Sequence, residues 1–413
     1  MNKAPLLGFD EALARLLKDA QPVGELETLD TLDARGRVLA AALVSPINVP
    51  PADNTQMDGY ALRVADLGGQ SGTSLRVAQR IPAGQVGGAL EPGTAARIFT
   101  GAFIPQGADA VVMQEQTRVE GDRVIIDHLP RNGEWVRKAG EDIAAGSTVL
   151  PAGQRLSAQA LGLAASIGTA ALTVRRRVRV ACFFTGDELV MPGEPLTPGA
   201  IYNSNRFVLR SLLEDLGCEV LDLGIVPDSL EATRAALREA SADVDLILTS
   251  GGVSVGEEDH VKPAVEAEGE LALWQIAMKP GKPLAFGKVR RSDRSRGEAW
   301  FIGLPGNPVS SFVTFLMMVR PFVLRLQGIP ELEPVRIPMR ADFSWPRPDR
   351  RREFLRASFN AGGGLDLFPN QGSAVLTSTV RCDGLVDNPS LCRVSVHEGH
   401  DSLFRIAARG SRS

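Results

Sequence analysis

A chain of 413 residues has room for roughly two to four domains of ordinary size. Its 45 Lys and Arg against 49 Asp and Glu leave a formal net charge of −4, so no overall field draws it to nucleic acid or an anionic membrane, and any anion site must be local. Four cysteines without CxxC spacing indicate reduced thiols in a cytoplasmic setting, and the longest apolar patch, residues 312–319, stops at Arg320 and Pro321, well short of the ~20 residues of a membrane span.

Apolar residues Phe9, Leu13, Leu16, Leu17 and Ala20 follow helical spacing, and Gly24 ends the pattern. After Pro46 come short β-rich pieces divided by glycine and proline, at 74–78, 95–100 and 123–127. Helical periodicity returns from Ser157, a candidate N-cap, to Ile167, with Gly168 as the stop. From Val178 strands at 178–184, 219–226, 244–249 and 271–277 alternate with helices near 203–216, 229–240 and 259–268. Strands at 284–289 and 299–304 and a helix over 308–327 complete a pattern that predicts a parallel, doubly wound sheet. Three prolines within 328–338 mark a boundary, and strands at 335–343, 353–359, 365–368, 374–380 and 392–397 predict an all-β tail. The expected architecture is a multidomain α/β protein. It has a helical linker domain (1–45 plus 141–175), an inserted mainly β domain (46–140), a doubly wound, mostly parallel α/β domain (176–328) and a C-terminal β domain (329–413).

Ligands of such a sheet bind beyond the carboxyl ends of its strands. The loops leaving those strands are rich in functional groups. Thr185-Gly186-Asp187-Glu188 is the first, Pro227-Asp228-Ser229 the second and SGGVSVGEED at 250–259 the third. In the third, Ser250, Gly251, Gly252, Ser254 and Gly256 form a candidate N–H and hydroxyl cradle for phosphate, with Asp259 a candidate cation ligand. The fourth, Met278-Lys279-Pro280-Gly281-Lys282-Pro283, carries two lysines. The fifth, with Pro305, Gly306 and Asn307, leads into a helix whose first turn suits Pro308.

Taken singly, Asp187 or Asp228 is more often a helix cap than a ligand, and the glycines serve many strand-to-helix turns. Convergence changes the balance. Carboxylates beside a bound phosphate would repel it by several kcal/mol each at ~4 Å and an effective dielectric of ~20. Acids and lysines on one sheet edge therefore imply a bridging divalent cation, and oxygen ligands without a His or Cys cluster point to Mg²⁺. Lys279 and Lys282 supply point charges for a small oxyanion. The acids of 53–60, the glycine–threonine stretch 99–113, Gly140-Glu141-Asp142 and the arginines at 175–177 and 350–352 read locally as turns and solvated strand edges.

Seven ordered motifs nevertheless resemble one family, the molybdopterin molybdenumtransferases of bacterial MoeA and the animal gephyrin E domain. They are DNTQMDGYA (53–61), TGAFIPQGADAVVMQE (100–115), GEDI (140–143), TGDEL (185–189), SGGVSVGEED (250–259), MKPGKP (278–283) and GLPGNPVS (303–310). The resemblance implies a MogA-like α/β domain and the last step of molybdenum cofactor synthesis: molybdate insertion into adenylylated molybdopterin, with Mg²⁺-assisted hydrolysis of the adenylate and release of AMP. It assigns Asp228 and Asp259 to the metal and phosphate end, Lys279 and Lys282 to anion binding, and Glu188 to the same cleft. Arg351, or Arg350, and Ser373 join from the tail. Asp58, Thr100 and Asp142 would come from the second subunit of a homodimer with a composite site, the adenylate being received in transient contact with a molybdopterin adenylyltransferase. Gln56 and Phe184 depart from the family's usual residues. The competing readings are a molybdopterin adenylyltransferase, which needs no flanking domains, and a non-catalytic scaffold, which needs no intact acids and lysines.

Overall fold

The computed structural model describes residues 6–253, 260–293, 295, 297–394 and 401–405. The chain divides into two compact units, Thr28–Val174 and the combination of Met1–Glu27 with Arg175–Ser413.

The first unit is built on a six-stranded sheet in the order Ala110–Met113, Gly59–Leu62, Thr94–Ile98, Thr73–Ile81, Arg123–Ile126, Thr117–Glu120. Period-two alternation gives it two small cores. Tyr60 and Leu62 join Leu75, Val112 and Val124 on one face, while Ala61 joins Ile81, Ile98 and Val111 on the other. The expected helix runs Ala158–Ser166; Ser157 Oγ accepts the Ala160 N–H at 3.2 Å, and Gly168 follows at φ 81°. Ala160 and Ala164 pack on Leu39, Leu150, Leu172 and Val174.

The second unit carries the doubly wound sheet. Its order is Glu219–Val226, Arg179–Thr185, Leu246–Ser250, Glu298–Leu304, Pro283–Arg290, Gly269–Gln275. The first four strands are parallel. The last two are antiparallel to their neighbours, so the expected parallel sheet is a mixed one with an antiparallel edge. Alternation again divides the core: Val180, Cys182, Phe184, Leu246, Leu248 and Ile302 face one layer, and Ala181, Phe183, Ile247 and Phe301 the other. Helices Phe9–Lys18, Ser204–Asp215 and the rod from Pro308 to Leu326 supply Leu16, Leu213 and Phe322 to the first layer. Leu230–Ser241 and Val261–Glu268 supply Leu237 and Val265 to the second.

The Pro308–Leu326 rod is long and apolar enough to cross a bilayer, but its most apolar window is 83% buried inside the protein, as suits a core helix. It widens to a π turn at Phe315–Val319, just before Pro321, which has no N–H for the regular ladder. Cys182, Cys218 and Cys382 are buried and Cys392 is exposed.

Beyond the rod a second sheet runs Met278–Lys279, Arg352–Phe359, Gly384–Asn388, Asp401–Arg405, Arg336–Met339, with Leu365–Leu367 also paired to Arg352–Phe359. The strand expected at 374–380 is instead the short helix Thr377–Arg381. Ser378 and Thr379 turn their hydroxyls back onto the Val375 and Leu376 carbonyls, at 2.7 and 2.8 Å, and this local bonding overrides a β-branched composition. Of the expected strand 392–397, Val394 forms a bridge with Trp345, and 395–397 lie outside the described residues.

Asp245 ties the amino ends of the parallel strands. Its carboxylate accepts two bonds from Arg176 (2.7 and 2.9 Å) and the Arg179 N–H (2.8 Å), with both side chains nearly buried. Among the described residues, Asp245→Ala leaves Arg176 with the exposed Glu25 as its ion-pair partner and the Arg177 carbonyl as a hydrogen-bond acceptor. It is expected to cost about 3 kcal/mol in denaturant unfolding; a loss below ~1 kcal/mol would show the network to be dispensable.

Candidate active site

The carboxyl ends of the parallel strands open into a cleft of about 1030 Å³. Of the expected site residues, Thr185, Gly186, Glu188, Asp228, Ser250, Gly251, Gly252, Lys279, Lys282, Pro305, Gly306, Asn307, Arg351 and Ser373 all line it. Asp187 is exposed and is not among the lining residues. Ser254, Gly256 and Asp259 lie outside the described residues. Asp58, Thr100 and Asp142 belong to the other compact unit.

Close approach explains two of the glycines. Gly251 sits at φ +99°, and a Cβ there would lie 2.5 Å from the Thr185 carbonyl oxygen; Gly281, at φ +108°, would place one 2.2 Å from Thr314 Oγ1. The strand-end loops are thus pressed together without side chains between them. Asn205, not singled out in the sequence, stitches two of them: its Nδ2 donates to Ser250 Oγ at 2.9 Å and to the Gly306 carbonyl at 2.8 Å. Ser250 Oγ donates onward to the Pro305 carbonyl at 2.9 Å. Ser229, not Asp228, caps the helix Leu230–Ser241 through the Ala232 N–H, so Asp228 is not the cap.

Two buried polar atoms on the cleft wall have no hydrogen-bond partner among the described residues, Thr185 Oγ1 and Asn203 Nδ2. Buried donors and acceptors are ordinarily satisfied, because leaving one unmade costs about 1–3 kcal/mol. A hydroxyl and an amide left open on a cleft wall suit a polar ligand.

The two lysines differ. Lys279 lies on the two-residue strand paired with Arg352 and Glu353, and its Nζ donates to Glu353 Oε1 at 3.1 Å and lies 3.4 Å from Asp349 Oδ2. Glu353 is fully buried, and its other oxygen accepts Trp345 Nε1 at 2.7 Å and the Asp349 N–H at 3.0 Å. Lys282 makes no ion pair among the described residues. Arg351 chelates Asp349 through Nε and Nη2 at 3.0 and 2.8 Å, and this guanidinium holds the Asp349 carboxyl well below the usual carboxylate range. Stability from that pair is present above the ordinary carboxylate range and is lost as pH falls below it.

Arg356 is the residue the sequence hid. Its side chain is fully buried, with no carboxylate at ion-pair distance among the described residues, and burial pushes the guanidinium down to about 10. It donates to Ser378 Oγ and, at 3.2 Å, to the carbonyl of Gly372, a residue of the cleft-lining loop that includes Ser373. An uncompensated buried cation behind such a loop raises the potential of the cleft. Its only sequence signal is a place inside the expected strand 353–359, which gives no sign of burial.

In the other unit, Asp58 Oδ1 accepts both the N–H and the hydroxyl of Thr100, at 2.8 and 2.7 Å; the N–H first and the hydroxyl second hold this carboxyl below its ordinary value. Asp53 pairs with Lys138 at 2.8 Å, and Asp142 is exposed.

A doubly wound domain whose strand-end loops present hydroxyls, acids and a lysine around one cleft defines a protein built to take a small anionic ligand at its strand ends. Comparison with known proteins makes this specific. Residues 7–168 match the family described as the MoeA N-terminal region (domain I and II), and residues 181–325 match the probable molybdopterin binding domain. The molybdopterin molybdenumtransferase of Haemophilus influenzae is 44% identical over 78% of this chain and 78% of its own. Molybdopterin molybdenumtransferase 2 of Mycobacterium tuberculosis is 37% identical over 91% of this chain and 93% of its own. A molybdopterin biosynthesis MoeA crystal structure from Pyrococcus horikoshii superposes with TM-score 0.79 at 30% identity, covering 98% of this chain and all of the other. The chain belongs to the molybdopterin molybdenumtransferase family, enzymes of molybdenum cofactor biosynthesis.

Removing Lys279 strands a buried carboxylate, whereas removing Lys282 breaks no pair. Lys279→Ala is expected to lower unfolding stability by about 1–2 kcal/mol, the half-exposed lysine keeping the loss below that of a fully buried pair, and Lys282→Ala by less than ~0.5 kcal/mol. Equal losses in thermal or denaturant unfolding would contradict this division.

Proposed function

We propose that the protein inserts molybdate into adenylylated molybdopterin, with Mg²⁺-dependent hydrolysis of the adenylate and release of AMP, as the last step of molybdenum cofactor biosynthesis. The observation that carries this reading is the cleft itself, where the Ser250-Gly251-Gly252 turn, the carboxylates of Asp228 and Glu188, and Lys282, which has no ion-pair partner among the described residues, line one cavity.

In this reading the Ser250–Gly252 backbone and the open Thr185 hydroxyl bind the phosphate end of the adenylate, and Asn203 Nδ2 offers a further donor. Lys279, Lys282 and Arg351 hold the oxyanion, with the buried Arg356 guanidinium behind them as a fixed positive charge, worth most where water is excluded. Lys279, bonded also to Glu353, keeps the loop of the two lysines in register with the tail sheet.

The donors on the cleft suit Mg²⁺: carboxylate oxygens of Asp228 and Glu188, to be completed by substrate phosphate. Asp228 and Asp259 would hold it, and when bound it neutralises phosphate charge and activates the attack on phosphorus. Glu188 orients groups in the same cleft.

The reading extends to assembly. The protein acts as a homodimer in which Asp58, Thr100 and Asp142 complete the cleft of the second subunit. It works in the cytoplasm and receives the adenylate in transient contact with a molybdopterin adenylyltransferase. The division into 1–45 with 141–175, 46–140, 176–328 and 329–413 is retained; a family match over 7–168 described as two domains supports its first half.

With purified full-length protein, adenylylated molybdopterin and molybdate, AMP release is expected to need Mg²⁺ and to fall by at least ~100-fold in Asp259→Ala; wild-type release by that variant would refute the assignment. For the composite site, Asp58→Ala and Asp259→Ala, each inactive alone, are expected to regain activity when unfolded and refolded together. Refolded mixtures without activity would remove Asp58 from the partner's site.

A further inference from the structure

We infer that Asp349 sets the charge selectivity of the anion subsite, so that a tetrahedral dianion is accepted and a tetrahedral monoanion of the same shape is refused. The inference rests on the reading of Arg351 and its neighbours as the oxyanion end of the cleft. Within that wall two cations, Lys279 and Arg351, are set against two acids, Asp349 and Glu353, so these four groups cancel one another before any substrate arrives. The two acids are not equivalent. Glu353 is fully buried and held on both oxygens, by Lys279 on one and by Trp345 and the Asp349 N–H on the other, and cannot release its lysine without stranding its own charge.

Asp349 is different. Its side chain is 24% exposed, and its partners are the Nε, Nη2 and backbone N–H of Arg351, with Lys279 at 3.4 Å. Arg351 and Lys279 both line the cleft. Asp349 thus occupies, as an internal carboxylate, the donors that an oxyanion needs.

An anion entering here must compete with that carboxylate for the Arg351 fork. A monoanion exchanges one negative charge for another and forfeits its hydration, with no net gain from the wall. A dianion brings one more charge than the carboxylate it replaces, in a half-buried place where each charge counts for more than in water. Lys282 adds attraction for both anions and does not remove this difference in kind.

The test uses full-length protein, wild type and Asp349→Asn, titrated calorimetrically at fixed ionic strength with molybdate and with perrhenate, a tetrahedral monoanion of nearly the same size. Wild type is expected to bind molybdate at least ~10-fold more tightly than perrhenate. In Asp349→Asn both anions should tighten, perrhenate more, so that the ratio shrinks by at least ~3-fold. Asp349→Ser, which cannot mimic the fork contact, should shift the ratio the same way and covers the case of an asparagine variant that does not fold. An unchanged ratio, or weaker binding of both anions, overturns the inference; the second result would mean that Asp349 merely orients Arg351. If wild type binds neither anion and Lys282→Ala changes nothing, the subsite assignment itself falls, and the selectivity with it.

Discussion

A buried carboxylate must find a positive partner, and in this fold the carboxylate of Glu353 finds Lys279. Burying an unpaired acid costs several kcal/mol, so the Lys279–Glu353 contact is close to obligatory once the tail sheet forms. Its consequence is geometric. The two residues are register partners in a parallel ladder between Met278–Lys279 and Arg352–Phe359, reinforced by the Arg352 N–H bonded to the Ala277 carbonyl at 2.9 Å. The loop of the two lysines is therefore an edge strand of the tail sheet as well as a strand-end loop of the doubly wound one. Gly281 closes the same loop onto Thr314 of the core helix, where no side chain fits. A second tie runs between the Val309 N–H and the Ser373 carbonyl at 2.9 Å, which holds the tail loop on the first turn of that helix. The cleft wall is consequently made by two sheets that cannot move apart without exposing Glu353.

The parts of this arrangement that could be read in the sequence are those with a periodic or punctuated signal. Apolar runs such as 244–249 followed by glycine, and the N-cap residue Ser157, carry their geometry locally, whereas the cap of Leu230–Ser241 is Ser229 and not the neighbouring Asp228. The strand-end loops could be located because the sheet rule places ligands there, and fourteen of the expected residues do line the cleft. Strand direction has no such signal. Gly269–Gln275 and Pro283–Arg290 read as strands, but nothing in their alternation distinguishes a crossover from a hairpin return. Arg352–Phe359 defeated the pattern in another way. Glu353 and Arg356 are charged and completely buried, each satisfied by residues far away in the chain, and a period-two reading takes charged positions as the solvent face.

The same blindness applied to the two lysines. In sequence Lys279 and Lys282 are equivalent members of one motif, three residues apart. In space the first is occupied by Glu353 and Asp349 and the second is not. A motif reports that residues are near one another; it does not report which of them already has a partner. That distinction depends on a carboxylate more than seventy residues downstream, in a sheet whose register no local pattern determines.

The electrostatics of the cleft follow from this pairing rather than from a count of charges. Summed naively, the lysine loop and the arginines of 350–352 form a basic patch. Paired, Lys279 and Arg351 are neutralised by Glu353 and Asp349, and Arg352 is spent on Asp387 and Asp10. Among the described residues, what remains open toward the cavity is Lys282, with Arg356 buried behind the Gly372 carbonyl and unable to shed its charge to solvent. Such a surface attracts anions weakly from a distance and strongly only in contact, where an oxyanion can take donors from an internal acid. For the proposed reaction, which would bring a phosphate and an oxyanion into one cavity, that is a coherent arrangement. Strong long-range attraction would fill the site with any cellular anion, whereas a neutralised wall leaves discrimination to the fit of charge and geometry at close range.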